Sequence, residues 1–353
     1  MDETVRIGQI GLGYWGPNLL RNFLALPGVE VTWVADQDGR RLAESFLHDP
    51  GLRKTQNYRE LLLTPEVDAV IITTPAANHF QIAMEALEVD KHVLVEKPLA
   101  MSFAQCDKLT KLAKARQRTL MVGHTFLYNP TVRRLKAYVD SGELGDILYL
   151  YSQRLNLGRV RQDVNALWNF APHDISIILY LLNQQPDEVS ARGFDYLQSG
   201  VADVVFLTLV FPGEKAAHVH ISWLDPHKVR QMTVVGTRKM AVYDDVSSDA
   251  KIVLYDRGID RVPTAESPRD FHSFAEFQLQ VRSGDVVIPA FKFSEPLRLE
   301  CAHFVECIRT RQQPLTDGLH GGQVVRILET AQRSLESKGA PQKIEETGDD
   351  SIT

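Results

Sequence analysis

The chain is poor in cysteine, in basic excess and in long apolar runs. Cys106, Cys301 and Cys307 are odd in number and lack CxxC spacing, which argues against a disulfide frame or a structural zinc site and for reduced thiols in a cytoplasm. No cluster of ligand side chains suggests any other metal. No apolar stretch approaches the roughly 18 residues of a membrane span, and the start, MDETVRIG, lacks the basic region and apolar core of a secretory leader. Thirty-nine Lys and Arg against 45 Asp and Glu give a net charge of −6 with no basic stripe, so the electrostatic footprint of a nucleic-acid binder is missing. Internal repeats and low-complexity segments are missing too. What is present, 44% hydrophobic and 24% charged residues over 353 positions, suits a globular enzyme with room for two cores.

The chain is organised around residues 5–16, VRIGQIGLGYWG, an apolar alternating run that breaks into Gly11, Gly13 and Gly16 before the helical stretch PNLLRNFLAL. The GxGxxG spacing serves a tight turn, a close approach of backbone to a pyrophosphate, and close packing of helix on strand. A pyrophosphate would rest on the N–H groups of Tyr14 and Trp15, at the positive end of the helix dipole. A ligand-free glycine turn has the same spacing, so the next strand matters. VEVTWVAD ends on Asp36, 20 residues beyond Gly16, where an acid can hydrogen-bond an adenosine ribose and repel a 2′-phosphate, favouring NAD over NADP. Arg40 and Arg41 follow closely and could restore phosphate binding. Asp36 has a second reading, as a cap on a helix over 39–47.

Up to about residue 123, short apolar runs alternate with amphipathic helices: AVIITTP, HFQIAMEALEVD, HVLVEKP, FAQCDKLTKLAKARQ and LMVGHT follow a loop at 55–58 and the short helix RELLL. This predicts an α/β, doubly wound parallel sheet in a dinucleotide-binding domain over 1–124, with its ligand at the carboxyl ends of the strands. Residues 125–353 form a second, substrate-binding and oligomerisation domain. There NPTVRRLKAYVDSG and the buried helix HDISIILYLL accompany ILYLYSQRLN and several alternating runs, which predict an open, largely antiparallel sheet. Its uncovered face implies a homodimer or homotetramer. Residues 257–290 read as irregular, LRLECAHFVECIRTR and GGQVVRILETAQRSLES as helices, and the tail from 339 as frayed.

Two residues stand where chemistry is expected. Lys97 follows strand HVLVE at the ligand edge; it is either a solvated charge or an amine that holds an oxyanion or carries a proton. His173 follows Pro172 at the start of an apolar helix, as a capping residue or a general base near neutral pH. His79 either faces the cofactor or starts its helix.

GLGYWG, Asp36, TTPAANH, VLVEKPLA and PLTDGLHGGQVVRILE together resemble the glucose-fructose oxidoreductase, inositol dehydrogenase and rhizopine catabolism (Gfo/Idh/MocA) family, from Val5 to about Leu335. GYWGPNLLRNF, VGHTFLYNP, RLNLG and LWNFAPHDISI are similar to its WlbA-like branch, which oxidises UDP-N-acetylglucosaminuronic acid at C3. The resemblance implies that Lys97 and His173 are the catalytic pair, that Gly11, Gly13, Tyr14, Trp15, Gly16 and Asp36 hold the dinucleotide, and that Thr74, Pro75, His79, Glu96 and Lys97 line it. Arg154, Asn156, Arg161, Trp168 and Asn169 are substrate candidates beside Lys97 and His173, and ordinary loop polarity is their other reading. Many members carry acids four residues before the histidine and three after it; here Asn169 and Ser176 stand there. The implied reaction is hydride transfer between a sugar carbinol and NAD. Alternatives are a ketoreductase, a free sugar or inositol dehydrogenase, and a non-catalytic NAD-binding sensor.

Overall fold

The computed structural model describes residues 4–44, 51–158, 160, 164–263, 277–290, 292 and 294–345. They fall into two compact units.

The first unit comprises Met1–Pro130, Ile175–Ile177 and Ser294–Gln332. Its strands are β1 (Val5–Ile10), β2 (Val29–Ala35), β3 (Arg53–Thr55), β4 (Ala69–Ile72), β5 (His92–Glu96) and β6 (Leu120–Gly123). They pair in the order β3-β2-β1-β4-β5-β6, every pair parallel. β4, AVII, is buried at every position, as expected of a strand covered on both faces. Helices α1 (Gly16–Leu24), α2 (Gly39–Leu42), α3 (Tyr58–Leu63), α4 (His79–Glu88) and α5 (Phe103–Arg116) connect the strands. α1 buries Leu19, Leu20 and Phe23. This parallel sheet is the doubly wound fold that the alternation of runs predicts.

Of the later helices, α6 (Pro130–Asp140) and α7 (Ala166–Leu182) follow the sheet, and α8 (Pro296–Thr310) and α9 (Gly318–Glu336) lie near the end of the chain. α8 joins the first core: Leu297, Cys301, Phe304 and Val305 pack with Val5, Ile7, Leu19 and Phe23. Phe23 meets Phe304 edge-on at 6.4 Å between ring centroids. Ahead of α9, Val122 N–H donates to the Thr316 carbonyl and Met121 bridges Asp317, so this segment closes the β6 edge.

The second unit comprises Thr131–Asp174, Ile178–Phe293 and Arg333–Thr353. β7 (Ile147–Leu155), β8 (Glu188–Phe194), β9 (Val204–Phe211), β10 (Lys215–Ser222), β11 (Val229–Gly236), β12 (Met240–Asp244), β13 (Ile252–Pro263), β14 (Phe277–Val287) and β15 (Gln342–Lys343) pair in the order β14-β13-β12-β11-β7-β10-β9-β8-β15. β7 and β10 are parallel and the other pairs antiparallel.

Five local expectations are corrected. The loop expected at 55–58 shortens to residues 56 and 57, because Thr55 ends β3, a three-residue edge strand too short and too charged to show periodicity, and Tyr58 opens α3. Within 257–290, read as irregular, β13 continues to Pro263 and pairs with β14; residues 264–276 lie outside the described set. The tail from 339 is held where β15 pairs Gln342 with Val189. The helix of His173 begins at Ala166, capped by Asn165, so Pro172 stands in its interior. Of the helix expected over 39–47, residues 39–42 are helical and 45–47 lie outside the described set.

Candidate active site

All strands of the first sheet run the same way, so the turns after β1, β2, β4 and β5 share its carboxyl edge. The turn after β1 requires glycine twice. Gly11 has φ +99°, and an added Cβ would lie 2.8 Å from the Thr73 backbone; one on Gly16 would lie 2.6 Å from the Gly11 carbonyl oxygen. Above Gly13, an added Cβ would meet Arg41 Nη1 at 3.7 Å as its one neighbour within 4 Å among the described atoms. No side chain caps the N-terminus of α1 at Trp15, and Tyr14 is 88% exposed. First-turn N–H groups without a side-chain cap are what a diphosphate uses.

Asp36 is fixed by its surroundings. It accepts the Leu12 N–H at 2.7 Å and the Asp38 N–H at 2.8 Å, with Arg41 Nη1 3.3 Å away. The capping alternative falls to another residue, because Asp38 accepts the Arg40 N–H at the start of α2. Thr74 Oγ1, at the turn after β4, is a buried hydroxyl with no partner among the described residues. An open glycine turn, an uncapped helix end, an acid at the end of β2 and an orphaned hydroxyl suit a dinucleotide.

His79 is buried at the start of α4. Its Nδ1 lies 2.7 Å from the Pro98 carbonyl oxygen and its Nε2 2.8 Å from that of Thr74. Burial draws its pKa down, although both carbonyls favour the charged ring. The imidazole thus ties the turn after β4, which carries Pro75, to the turn after β5. That second turn carries Lys97, whose peptide bond to Pro98 is cis.

Beside Lys97 lies a polar cluster that the sequence reading did not assemble. Glu96 accepts the Lys97 N–H at 3.2 Å and the Trp15 indole N–H. Burial pushes its pKa up to about 7 against the pull of Lys97. Glu300 of α8 is fully buried, accepts the Thr125 hydroxyl at 2.7 Å, and has its pKa raised well above the carboxylate range by burial and by Glu96. His124 and His320 meet edge-on at 5.3 Å, and burial lowers both pKa values, that of His320 to about 4. A signal existed: Glu300 interrupts the apolar stripe Leu297, Cys301, Phe304 at a position helical geometry turns inward.

In the second unit, Asn169 and His173 stand four residues apart on α7 and share a face. Both are half-buried, as is Trp168, whose N–H donates to the Asn165 cap at 3.1 Å. Pro172 supplies no amide for the Trp168 carbonyl. Asp174 turns the other way, where Arg154 Nε donates to it at 2.5 Å, both side chains being buried. Arg154 is therefore inside the unit, bonded to the neighbour of His173. Asn156 follows β7, half-buried, its N–H donating to the Ser222 carbonyl at 3.1 Å. Ser176 is fully buried. Arg159 and Arg161 lie outside the described residues.

Comparison with known proteins gives these features a lineage. Residues 5–124 match the model described as "Oxidoreductase family, NAD-binding Rossmann fold", and residues 132–242 match the GFO/IDH/MocA C-terminal domain. A crystal structure of a candidate oxidoreductase from Magnetospirillum magnetotacticum MS-1 is 31% identical, with TM-score 0.75 over 93% of this chain and 99% of that one. The scyllo-inositol 2-dehydrogenase (NAD(+)) of Bacillus subtilis is 26% identical over 89% of each chain. The UDP-N-acetylglucosamine 3-dehydrogenase of Acidithiobacillus ferrooxidans is 27% identical over 75% of this chain and 82% of its own. No helix among the described residues is long and apolar enough to cross a membrane. With both halves matched in order, and a solved relative of this identity matched over nearly its whole length, the chain belongs to the Gfo/Idh/MocA family of NAD-dependent oxidoreductases.

Proposed function

We propose that this chain is a dehydrogenase that moves a hydride between NAD and C3 of a nucleotide-linked N-acetylhexuronic acid. The observation that carries the redox reading is the shared carboxyl edge of the first sheet, which presents the uncapped start of α1, the anchored Asp36 and Lys97 together. The sugar class rests on the resemblance of GYWGPNLLRNF, VGHTFLYNP and LWNFAPHDISI to the WlbA-like branch, and on a relative whose name states a UDP-sugar 3-dehydrogenase.

When bound, NAD accepts or returns the hydride. The chain's own residues hold its two ends and manage the proton. Gly11, Gly13, Tyr14, Trp15 and Gly16 take the diphosphate, and Asp36 takes the adenosine ribose, favouring NAD over NADP. Thr74, Pro75, His79, Glu96 and Lys97 form the wall beside the reacting end. A carbinol releases hydride only as its hydroxyl proton leaves. One of Lys97 and His173 accepts that proton while the other holds the alkoxide. Asn156, Trp168 and Asn169 orient the sugar, with Asn169 offering an amide where many relatives carry an acid. We assign Arg154 a positioning part through Asp174, and Arg161, with Arg159, the diphosphate of the nucleotide sugar. The domain of residues 125–353 binds substrate and pairs with a second copy, and the three buried free thiols suit a reducing, cytoplasmic setting.

Incubation with NAD and a panel of UDP-sugars, free hexoses and inositols, followed by nicotinamide absorbance, tests the reading. A UDP-N-acetylhexuronic acid is expected to give the highest kcat/KM, and Lys97→Ala or His173→Ala to lower kcat by about 10²–10⁴-fold. Preference for a free sugar or inositol would replace the substrate class. Cofactor binding without turnover on any substrate would replace the dehydrogenase.

A further inference from the structure

One end of the second sheet gathers cationic groups that the fold leaves underused. Arg154 of β7 and Arg230 of β11 are direct cross-strand partners, so their side chains share a face. That face carries α7, because Arg154 bonds Asp174 there. Arg154 is fully engaged: it is buried and donates to both oxygens of Asp174, from Nε at 2.5 Å and from Nη2 at 3.4 Å. Arg230 differs. Its side chain is 37% exposed, and its one contact with an acid runs from Nη1 to Asp245 at 3.4 Å, the outer limit of a hydrogen bond. Asp245 meanwhile accepts the Tyr243 hydroxyl at 3.0 Å. The Nε and Nη2 groups of Arg230 have no acceptor among the described residues. Lys228, just ahead of β11, is exposed and likewise has none.

The loop over 223–228 joins β10 to β11 where β7 gives way to Asn156. The Asn156 N–H donates to the Ser222 carbonyl, and Val229 pairs with Leu155. Both ends of the loop are moored to α7. Trp223 meets Phe170 edge-on at 6.5 Å between ring centroids, and Arg230 stands beside the Arg154 that holds Asp174. Phe170 directly follows Asn169, and Asp174 directly follows His173. The stretch of helix that presents Asn169 and His173, about 6 Å long for four residues, is therefore flanked by the loop and its two underused cations. The loop's own acid, Asp225, is half-buried, and its charge bears on His220, which pairs with Gln153 on the other face of the sheet from Arg154. A guanidinium with two adjacent N–H groups open takes an oxyanion through parallel hydrogen bonds, and an ammonium adds a point charge.

We propose that Arg230 and Lys228 form an oxyanion subsite for the sugar substrate, taking either the carboxylate of the hexuronic acid or the diphosphate of the nucleotide. Arg230 is then a specificity-determining residue that selects a charged sugar over a neutral one. The oxyanion occupies Nε and Nη2, while Asp245 keeps Nη1 and fixes the plane of the fork. The subsite does not touch the reacting carbinol, so its loss falls on KM more than on kcat. The selection of a sugar rests on the dehydrogenase reading proposed above; the binding of an oxyanion by the loop does not.

The experiment compares the full wild-type chain with Arg230→Met and Lys228→Ala. Turnover with NAD is measured on UDP-N-acetylglucosaminuronic acid, which has both oxyanions, on UDP-N-acetylglucosamine, which lacks the carboxylate, and on glucuronate, which lacks the diphosphate. Arg230→Met is expected to raise KM for the first by about 10–100-fold, the range of a hydrogen bond to a charged group, with kcat little changed. Lys228→Ala is expected to act in the same direction by a smaller factor. A loss shared with UDP-N-acetylglucosamine and absent on glucuronate assigns the diphosphate; the reverse assigns the carboxylate. Calorimetric titration with UDP and with glucuronate reads the subsite without turnover. If no sugar is turned over while the wild type binds one of these probes and the variants bind it more weakly, the dehydrogenase reading falls and the subsite stands. Should Arg230→Met not fold, Lys228→Ala, in an exposed loop, decides. Unchanged KM and unchanged probe affinity in the folded variants, or a wild type that binds neither probe and turns over neither UDP-sugar, overturns the proposal.

Discussion

Asp36 has a structural duty and, under the proposed reading, a selective one. Its carboxylate holds the Leu12 amide at 2.7 Å and faces Arg41 at 3.3 Å, so the group that would receive a ribose hydroxyl also restrains the guanidinium that would receive a 2′-phosphate. Asp36→Ser removes the repulsion and releases Arg41. The ratio of kcat/KM for NAD to that for NADP is expected to fall by about 10–100-fold, the range of one hydrogen bond to a charged group; Arg41→Ala in the same background should reverse much of it. The Arg154 and Asp174 pair makes an opposite case, since both side chains are buried. Asp174→Ala removes the carboxylate that Arg154 Nε donates to inside the unit and is expected to cost about 3–5 kcal/mol in urea unfolding, whereas replacing both residues by apolar ones of similar volume should cost far less. A third residue, His92, accepts the Thr119 N–H through Nδ1 at 3.0 Å, a bond that protonation forbids, and its pKa is lowered to about 4, first by burial and then by Arg118. A histidine with a folded pKa below its unfolded value of 6.5 stabilises above pH 6.5 and loses that contribution as pH falls toward 4. His92→Gln should flatten this part of the stability profile. Glu96 has the opposite sign: raised to about 7, it stabilises below about pH 4.5 and loses that contribution as pH rises through 7.

Among elements, those with strong periodicity were legible and those made by pairing were not. β1, β4 and β5 are apolar runs followed by glycine, threonine or lysine turns, and pattern alone located them. β3, β14 and β15 exist because a neighbour offers a free ladder, which no local pattern encodes. α7 was misread at its start because Pro172 resembles a first-turn proline, while the true cap, Asn165, lies a full two turns earlier. The consequence reaches the site: an earlier start puts Asn169 and His173 on one face, which the sequence reading had left open. Likewise the turns holding Asp36 and Lys97 were visible in sequence, but Glu300 was not brought to Glu96, because only the packing of α8 on the first core does that. The hairpin of β11 and β12 offers an element-scale test. A Cβ on Gly236 would lie 2.1 Å from the Leu144 carbonyl oxygen, a rigid backbone contact. Gly236→Ala is expected to lower unfolding stability by about 1–3 kcal/mol while leaving NAD affinity unchanged, since the first unit contains none of the displaced atoms.

At the scale of the whole molecule, the second sheet carries an aromatic face that stays exposed among the described residues. Register places Tyr149 and Tyr151 of β7, His218 and His220 of β10, and Phe206 and Val210 of β9 side by side. Tyr149 and Tyr151 stack, Phe206 stacks on both histidines, and the tyrosines, Phe206 and Val210 are all exposed. A continuous patch of this kind on a sheet marks an interaction site more often than bare surface, and a flat sheet face is self-complementary under a twofold axis. We propose a second copy of this chain as its occupant. Because these side chains point away from the unit's own core, Tyr151→Asp with Phe206→Asp should leave the unfolding midpoint of the monomer unchanged while shifting sedimentation from dimer or tetramer to monomer. Burial lowers the pKa of His218 and of His220, and a second copy would bury them further, so assembly should weaken as pH falls below their ordinary value of about 6.5. A wild-type chain that sediments as a monomer at neutral pH, or a double variant that remains assembled, removes the sheet face as the contact.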